Sequence, residues 1–209
     1  MATIALFGST GKTGRHVLAQ ALDAGHTVRA LARRPESLDL RPGLTIVPGD
    51  VLDVDSVART IRSSDVVVSV FGQVRGSSPT LQTEGTRNIL EAMTAVGASR
   101  LITLSGGGLP GPQDRPKVPD RIIMFLLQRL SPQVLADAEG HLEVLRGSDL
   151  DWTVVRGPRL TNAPATGSYR VGWVGVNAST QIARADLASF ILTQLDDRQF
   201  IRELPFVSR

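Results

Sequence analysis

A glycine-rich turn between an apolar run and an amphipathic segment constrains the fold of this chain more than any other feature. Ile4–Phe7 is an apolar run of strand type, and Gly8, Gly11 and Gly14 follow it at intervals of three residues. Apolar side chains then recur at helical spacing between residues 17 and 22. A strand, a glycine loop and a helix in this order are typical of a dinucleotide-binding site.

Each glycine of this turn has a separate reason to lack a side chain. Gly8 permits the tight turn after the strand, Gly11 lets the backbone approach a diphosphate, and Gly14 lets the helix lie close to the sheet. Unpaired N–H groups and the helix dipole then favour an anion. The sequence therefore predicts a phosphate site formed by Gly8, Ser9, Thr10, Gly11, Lys12, Thr13 and Gly14.

The composition excludes several classes of site and partner. The 209 residues contain no cysteine and three histidines that are far apart in the sequence, so we expect neither a disulfide nor a metal site. The formal net charge is +3, and the basic residues are scattered, which argues against nucleic acid as a partner. No apolar run has the length of a membrane span and no signal pattern opens the chain, so we expect a soluble, cytoplasmic protein.

Strand-like and helix-like segments alternate along the chain. The strand-like runs cover residues 26–32, 44–47, 65–72, 100–104 and 150–155, and helical patterns separate most of them. Repeated strand–helix–strand units predict an α/β, Rossmann-type, doubly wound parallel sheet. We expect one NAD(P)-binding domain over residues 1–209, with substrate-site elements in its C-terminal part.

Residues that follow these strands are the candidates for ligand contacts, because such sheets bind ligands at the carboxyl ends of their strands. Arg33 follows the second strand, where an acidic residue would indicate NAD, so it predicts a 2′-phosphate and hence NADP(H); the alternative is an ordinary basic loop. Asp50 is an expected adenine contact or else a cap. Gly72 leaves room for a cofactor, and Ser105 ends the fifth strand, where the reactive end of the cofactor would lie.

The apolar run Ile122–Leu127 has more than one interpretation. It is expected on a helix, and burial against the sheet is the simplest reason for its composition. The alternatives are a lid over the substrate or a face between two copies of the chain. The sequence alone leaves core, lid and interface open, and with them the choice between a monomer and a homodimer.

Several segments together resemble a known family. They are residues 8–14, Gly49–Leu52, Thr83–Ile89, Lys117–Pro119 and Val144–Ser148. With them the chain resembles the atypical short-chain dehydrogenase/reductases of the NAD(P)H-binding, NmrA-like type, and it is most similar to the biliverdin-IXβ reductase/flavin reductase group. The resemblance extends over nearly the whole length.

The resemblance implies roles for individual residues. The adenine would lie near Asp50 and Val51, and the 2′-phosphate near Arg33. The nicotinamide site would contain Phe71, Gly72, Ser105, Gly157 and Pro158. The positions of the family's catalytic serine and lysine correspond to Ser105 and Lys117.

The chain also departs from the family pattern. Leu142 stands where the related reductases have a histidine on a mid-chain helix, and Arg159 replaces a second histidine. The tyrosine–lysine pair of ordinary short-chain dehydrogenases is missing, since Tyr169 is the only tyrosine and Trp173 takes the place of the lysine. Alcohol oxidation by a tyrosinate base is therefore not expected.

Two functions from different classes fit these observations. The first is an NADPH-dependent reductase that transfers hydride to a planar, conjugated small molecule such as a flavin, a tetrapyrrole or a quinone, since the cofactor itself carries that chemistry. The second is a non-catalytic NADP(H)-binding regulator of the NmrA type, which would sense redox state and bind a protein. The same glycine loop would serve both.

Overall fold

Strands and helices alternate in the computed structural model, which describes residues 1–74 and 76–209. The strands are β1 (Thr3–Phe7), β2 (Thr27–Ala32), β3 (Leu44–Pro48), β4 (Val66–Ser69), β5 (Arg100–Gly106), β6 (Asp151–Gly157), β7 (Arg159–Thr161), β8 (Arg170–Gly172), β9 (Gln181–Ala183) and β10 (Phe206–Ser208). The helices are α1 (Lys12–Asp23), α2 (Val54–Ile61), α3 (Leu81–Val96), α4 (Val118–Leu130), α5 (Pro132–Arg146) and α6 (Arg184–Thr193).

One sheet carries the fold. Its strand order is β3-β2-β1-β4-β5-β6-β10-β8, and every neighbouring pair is parallel except β10 and β8. The order reverses between β1 and β4, which is where doubly wound sheets open a ligand crevice. A separate parallel pair joins β7 to β9. The predicted Rossmann-type α/β fold is therefore confirmed.

Helices cover both faces of the sheet. On one face α1 and α6 bury Val17, Leu187 and Ile191 against the strands. On the other face α2, α3 and α5 bury apolar side chains that include Ile89 and Leu142. Side chains of successive strand residues point to opposite faces, so each central strand contributes to both layers. This arrangement places the carboxyl ends of β1, β4, β5 and β6 along one edge.

Two local expectations were wrong for a reason that lies in tertiary pairing. The pattern of residues 200–207 predicts a strand at the edge of the sheet, but β10 lies inside the sheet, because β8 pairs antiparallel with its free side. Asp186, which precedes apolar residues at helical spacing, is predicted from the sequence to cap a helix. It lies instead in the first turn of α6, where it accepts hydrogen bonds from the backbone N–H groups of Thr166 and Gly167. It thereby fixes the loop before β8.

The interpretation of Ile122–Leu127 as a buried core segment was wrong. None of the residues of α4 is buried, and Ile122 and Phe125 keep 57% and 55% of their surface exposed. The helix faces the rest of the chain through half-buried Met124 and Leu127. Its neighbour is the loop after β5, where a Cβ on Gly108 would lie 3.3 Å from Leu127 Cδ1. The lid and the interface remain as alternatives.

A buried ion pair fixes the loop that leads into α4. Arg156 has no exposed side-chain surface, and it binds Asp114 through Nη1 at 2.7 Å and Nη2 at 2.8 Å. The same guanidinium donates to the carbonyl oxygens of Leu109 and Leu204. Burial raises the pKa of Asp114, but hydrogen bonds from Arg156 and from the N–H groups of Gly111 and Val174 take it below its ordinary value.

Removal of one partner of this ion pair is expected to destabilise the protein strongly. Asp114→Ala leaves the Arg156 guanidinium buried and only partly bonded, so the free energy of unfolding should fall by about 3–5 kcal/mol. Asp23→Ala breaks a pair with Arg41 in which both side chains are exposed, and it should cost less than about 1 kcal/mol. Urea unfolding at pH 7 measures both values.

The pH dependence gives a second measurement of the same pair. Because the folded pKa of Asp114 is lowered, its contribution is present above the unfolded pKa and is lost as the pH falls through the folded pKa. The wild type should therefore lose stability below about pH 4 more steeply than Asp114→Ala. Equal slopes for the two proteins would contradict a native-state ion pair.

Candidate functional site

The glycine loop is a point of backbone contact between three elements. Gly8 has φ +87°, and a Cβ there would lie 2.5 Å from the backbone nitrogen of Phe71, just after β4. A Cβ on Gly14 would lie 2.0 Å from the carbonyl oxygen of Gly8. No side chain fits at either position, so both glycines are required by the fold itself. They bring the ends of β1 and β4 against the first turn of α1.

The N-terminus of α1 is open to an anion. Gly11 is its N-cap, no side chain caps it, and its first turn contains no acidic residue. Within residues 1–74 and 76–209, no hydrogen bond satisfies the backbone N–H groups of Lys12, Thr13 and Gly14. A Cβ on Gly11 would meet only the Gly8 carbonyl oxygen, at 3.2 Å. Free donors and open space are what a diphosphate needs at a helix N-terminus.

The side chains of this loop differ in what they contact. Ser9 is fully buried, and its hydroxyl donates to the carbonyl oxygen of Leu31 at 3.2 Å. It therefore ties the loop to the end of β2. Thr13 is buried, whereas Thr10 and Lys12 are exposed. Lys12 is thus free to reach an anion beside the loop.

The structure brings together two residues that were predicted from different strands. Arg33 Nε lies 3.9 Å from Asp50 Oδ2, and the two side chains are 65% and 39% exposed. Asp50 also accepts a hydrogen bond from the backbone N–H of Leu52 at 2.9 Å, so it caps the local turn as well. The pair lies at the carboxyl ends of β2 and β3, and Arg34 beside it is exposed.

Sequence reasoning missed Arg15 at the same place. Its guanidinium donates from Nε to the carbonyl oxygen of Thr10 at 3.2 Å and from Nη2 to that of Ser37 at 3.1 Å. Ser37 belongs to the short 3₁₀ turn that follows β2, so Arg15 bridges the glycine loop and the loop of Arg33. In the sequence, only the position of Arg15 directly after Gly14 indicates this contact, because residues in the first turn of α1 lie beside the glycine loop.

Val51 and Phe71 meet over a glycine of α3. A Cβ on Gly85 would lie 2.8 Å from Phe71 Cζ and 3.0 Å from Val51 Cγ2. Asn88 on the same helix donates to the carbonyl oxygen of Val51 at 3.0 Å. Gly72 is exposed, and a Cβ there would meet no atom of the other described residues within 4 Å. The segment between residues 83 and 89 therefore positions Val51 and Phe71. These two side chains form one wall of the crevice where the strand order reverses (the cleft), while the space beside Gly72 stays open.

Ser105 has a buried hydroxyl without a partner. Only 5% of the residue is exposed, and its Oγ makes no hydrogen bond to any described residue. It pairs with Arg156 in the sheet, and the next pair is Gly106 with Gly157. A buried polar group without a partner is rare in a native protein and indicates a ligand or an unseen water. Pro158 follows Gly157 in the sequence and is half-buried.

A buried histidine supports the strand that carries Ser105. His141 on α5 makes contacts with the hydroxyls of Thr86 at 2.7 Å and Thr103 at 3.4 Å. Burial lowers the pKa of His141 to about 4, and the nearby Asp137 carboxylate offsets only part of that effect. The imidazole is therefore neutral at pH 7, and it links α3, α5 and β5. Leu142 beside it is buried in the core.

Lys117 lies at the start of α4, whereas Ser105 lies in β5. It is the N-cap of α4, and its backbone N–H donates to Asp120 Oδ2 at 2.8 Å. Its side chain is exposed and lines a cavity of about 380 Å³ together with Arg170 and Phe206. Ser105 is not part of that lining. Arg159, the replacement noted above, donates to Gln181 Oε1 at 2.6 Å on the neighbouring β9.

Two structural features are absent from the residues that the structure describes. No cluster of three or more His, Asp or Glu side chains is arranged to hold a metal ion there. No helix in that part of the chain combines the length and the apolar character needed to cross a membrane.

Comparison with known proteins supports the nucleotide-binding interpretation of this cleft. The sequence profile of a family described as NAD(P)H-binding matches residues 8–198. The protein YwnB of Bacillus subtilis is 25% identical over 208 residues, which cover 92% of each chain. The chain also matches much longer mycobacterial proteins, and the matched part spans 12% of their length.

Solved structures share the fold. A short-chain dehydrogenase/reductase of Veillonella parvula, solved in complex with NADP, has a TM-score of 0.80 at 18% identity and is covered to 95%, with all of this chain matched. The anaerobilin reductase ChuY of Escherichia coli O157:H7 has a TM-score of 0.78 at 20% identity, with 99% of this chain and 96% of that chain covered. At these identities the likeness extends to the fold alone.

The glycine loop, the strand order of the sheet and the matched family profile all indicate a nucleotide-binding fold. The profile covers the chain from the first glycine of the loop to a residue after α6. The chain belongs to this NAD(P)H-binding family, and it has a Rossmann-type fold.

Proposed function

We propose that this protein is an NADPH-dependent reductase that transfers hydride to a planar, conjugated small molecule such as a flavin, a tetrapyrrole or a quinone. The observation that carries the proposal is the unpartnered Ser105 hydroxyl, which is buried at the carboxyl end of β5. A polar group at this point would orient the nicotinamide against its acceptor. The naming of the solved neighbour ChuY as an anaerobilin reductase agrees with a conjugated acceptor.

We expect an extended dinucleotide to lie along the edge where the parallel strands end. The open N-terminus of α1 would hold the diphosphate, and the Arg33–Asp50 end would hold the adenosine half. From there the cleft passes the open space beside Gly72 and reaches Ser105 and Gly157. When bound, the nicotinamide supplies the hydride. The protein's part is to orient the two rings, and the acceptor's proton comes from solvent.

Arginines at the adenosine end favour NADPH over NADH. Arg33 and Arg34 are exposed beside the end of β2, and Arg15 reaches the same loop. A guanidinium binds the 2′-phosphate of NADP through two parallel hydrogen bonds, whereas the ribose hydroxyl of NAD offers it little. Asp50 at 3.9 Å neutralises Arg33 only in part, because both side chains are exposed to solvent.

The proposed reaction needs no acid–base residue of the chain. Ser105 would hold the nicotinamide amide or the acceptor, and Gly157 and Pro158 would form the wall behind the ring. This assignment agrees with the missing tyrosine–lysine pair, because a conjugated acceptor takes up hydride without a tyrosinate base.

A non-catalytic NADP(H)-binding regulator is the second candidate. The exposed apolar side chains of α4 favour it, since an apolar helix face is a common docking surface for a protein. NADPH oxidation measured with flavin mononucleotide (FMN) and with quinones separates the two functions. Tight cofactor binding without turnover of any acceptor would support the regulator.

Gly11→Val is expected to abolish NADP binding without unfolding the protein. The Gly11 backbone is extended, with φ −69° and ψ 161°, so valine adopts it readily, but its side chain would occupy the space of the diphosphate. Gly147→Val, at the end of α5, is the matched control, because a Cβ there has no neighbour closer than 3.6 Å. Calorimetric titration with NADP⁺ and thermal unfolding check both variants. Unchanged NADP⁺ affinity in Gly11→Val would refute this diphosphate site.

Arg33→Asp is expected to reverse the cofactor preference. A hydrogen bond to a charged group contributes about 1.5–3 kcal/mol, and the exposure of Arg33 reduces this to roughly a tenfold preference for NADP. The introduced carboxylate would repel the phosphate and accept the ribose hydroxyls of NAD. Arg62→Asp, at the opposite edge of the sheet, makes the same change in net charge. Dissociation constants for NADP⁺ and NAD⁺ at one salt concentration give the ratio, and a ratio shared by all three proteins would contradict the NADP assignment.

Ser105→Ala is expected to lower kcat on the order of 100-fold while changing the affinity for NADP⁺ and the thermal stability far less. The hydroxyl has no partner among the described residues, so its removal breaks none of their hydrogen bonds. Ser189→Ala on α6 is the control, because that hydroxyl donates to Gln20 Oε1 at 3.0 Å and should affect stability only. If Ser105→Ala retains the wild-type kcat with every acceptor, Ser105 takes no part in turnover.

A further inference from the structure

The cavity beside α4 has an excess of positive charge. Lys117 and Arg170 line it from two different segments, and Asp120 is the only acidic residue in its lining. Asp120 already accepts a hydrogen bond from the backbone N–H of Lys117. Among the described residues, no carboxylate lies within 4.0 Å of either cation. Two cations that share one cavity and have no carboxylate partner are what a bound anion requires.

The cavity is built from rigidly connected segments. The backbone N–H of Arg115 donates to the carbonyl oxygen of Val174 at 2.9 Å, and Asp114 accepts from the N–H of Val174 at 3.0 Å. Gly175 has φ +79°, and a Cβ there would lie 1.9 Å from the Arg115 carbonyl oxygen. The loop before Lys117 and the segment after β8 are therefore in backbone contact. The buried pair of Asp114 with Arg156 holds both in place.

Phe206 lies between this cavity and the ends of β5 and β6, where the proposed hydride transfer would take place. Its side chain lines the cavity, and its Cε2 would lie 2.9 Å from a Cβ on Gly107, which follows β5. The same Cβ would lie 2.9 Å from the carbonyl oxygen of Gly157. One aromatic ring thus separates the ends of β5 and β6 from the space beside Lys117. An acceptor placed over Gly107 and Gly157 would extend its substituents past that ring.

We propose that this cavity is an anion-binding subsite, in which Lys117 and Arg170 hold a phosphate or carboxylate on a side chain of the acceptor. The subsite rests on the proposed reductase function. It selects acceptors that combine a conjugated ring with an anionic tail, and rejects their neutral analogues. Lys117 then anchors the substrate through its tail, away from the ring that is reduced.

Two flavins test this subsite because they differ in one group. FMN and riboflavin share the isoalloxazine ring and the ribityl chain, and only FMN carries the terminal phosphate. Binding is measured as quenching of flavin fluorescence by NADP⁺-saturated protein, and KM and kcat are measured with saturating NADPH. The proteins compared are the wild type, Lys117→Ala, Arg170→Ala, the double variant that combines these two changes, and Arg121→Ala. Arg121 is an exposed cation of α4 outside the cavity lining.

The wild type is expected to bind FMN about tenfold more tightly than riboflavin, since one exposed charge-assisted contact is worth roughly that factor. Lys117→Ala and Arg170→Ala should each raise the Kd and KM for FMN about threefold, and the double variant should bring the ratio of the riboflavin Kd to the FMN Kd close to one. Arg121→Ala should keep the wild-type ratio. An effect on kcat alone would place Lys117 at the reacting ring and overturn the subsite.

The outcomes separate the subsite from the reductase function. Selective, Lys117-dependent binding of FMN without reduction would support the subsite and refute the reductase. Reduction of both flavins with the same KM in every protein would support the reductase and refute the subsite. Competition by inorganic phosphate at millimolar concentration against FMN but not against riboflavin further supports an anion at Lys117 and Arg170. If neither flavin binds, both proposals fail for flavins, and the subsite is rejected.

Discussion

The structure depends first on the absence of two side chains. A Cβ at Gly8 or Gly14 would come within 2.5 Å of backbone atoms that belong to another segment, so the ends of β1 and β4 and the start of α1 meet backbone to backbone. This contact leaves the first N–H groups of α1 free. It also places them at the edge where the central parallel strands end. The close backbone approach at Gly8 and Gly14 thus occurs where the strand order reverses, and it leaves the N-terminus of α1 open to an anion.

The other half of the cleft depends on a buried charge. Arg156 is fully buried, yet Asp114 and two backbone carbonyl oxygens satisfy its donors. Asp114 in turn binds the N–H groups of Gly111 and Val174. The ion pair therefore joins β6, the loop after β5 and the segment after β8. Backbone proximity shapes the side of the cleft beside the glycine loop, and a hydrogen-bonded ion pair shapes the side beside the loop after β5.

The sequence was sufficient for the parts of the fold that local patterns determine. Period-two and helical spacing located the central strands and most helices, and the glycine spacing located the uncapped N-terminus of α1. The side chains of α4 show the limit. Ile122, Phe125 and their neighbours are apolar on several sides of the helix, so composition suggested burial, although only tertiary packing decides which neighbour covers them. Arg15 has only its position after Gly14 as a local signal and Arg170 has none, because their contacts arise from segments that are distant in the sequence.

For the proposed reductase, the rigid frame around Asp114 has a consequence for how acceptor preference would change over evolutionary time. The frame is buried, whereas Lys117 and Arg170 extend from it into solvent. Substitutions of exposed side chains usually change stability very little. Related proteins can therefore vary the cavity lining residue by residue while the backbone beneath keeps its shape. A small scaffold of this kind can adopt new acceptors without a new loop.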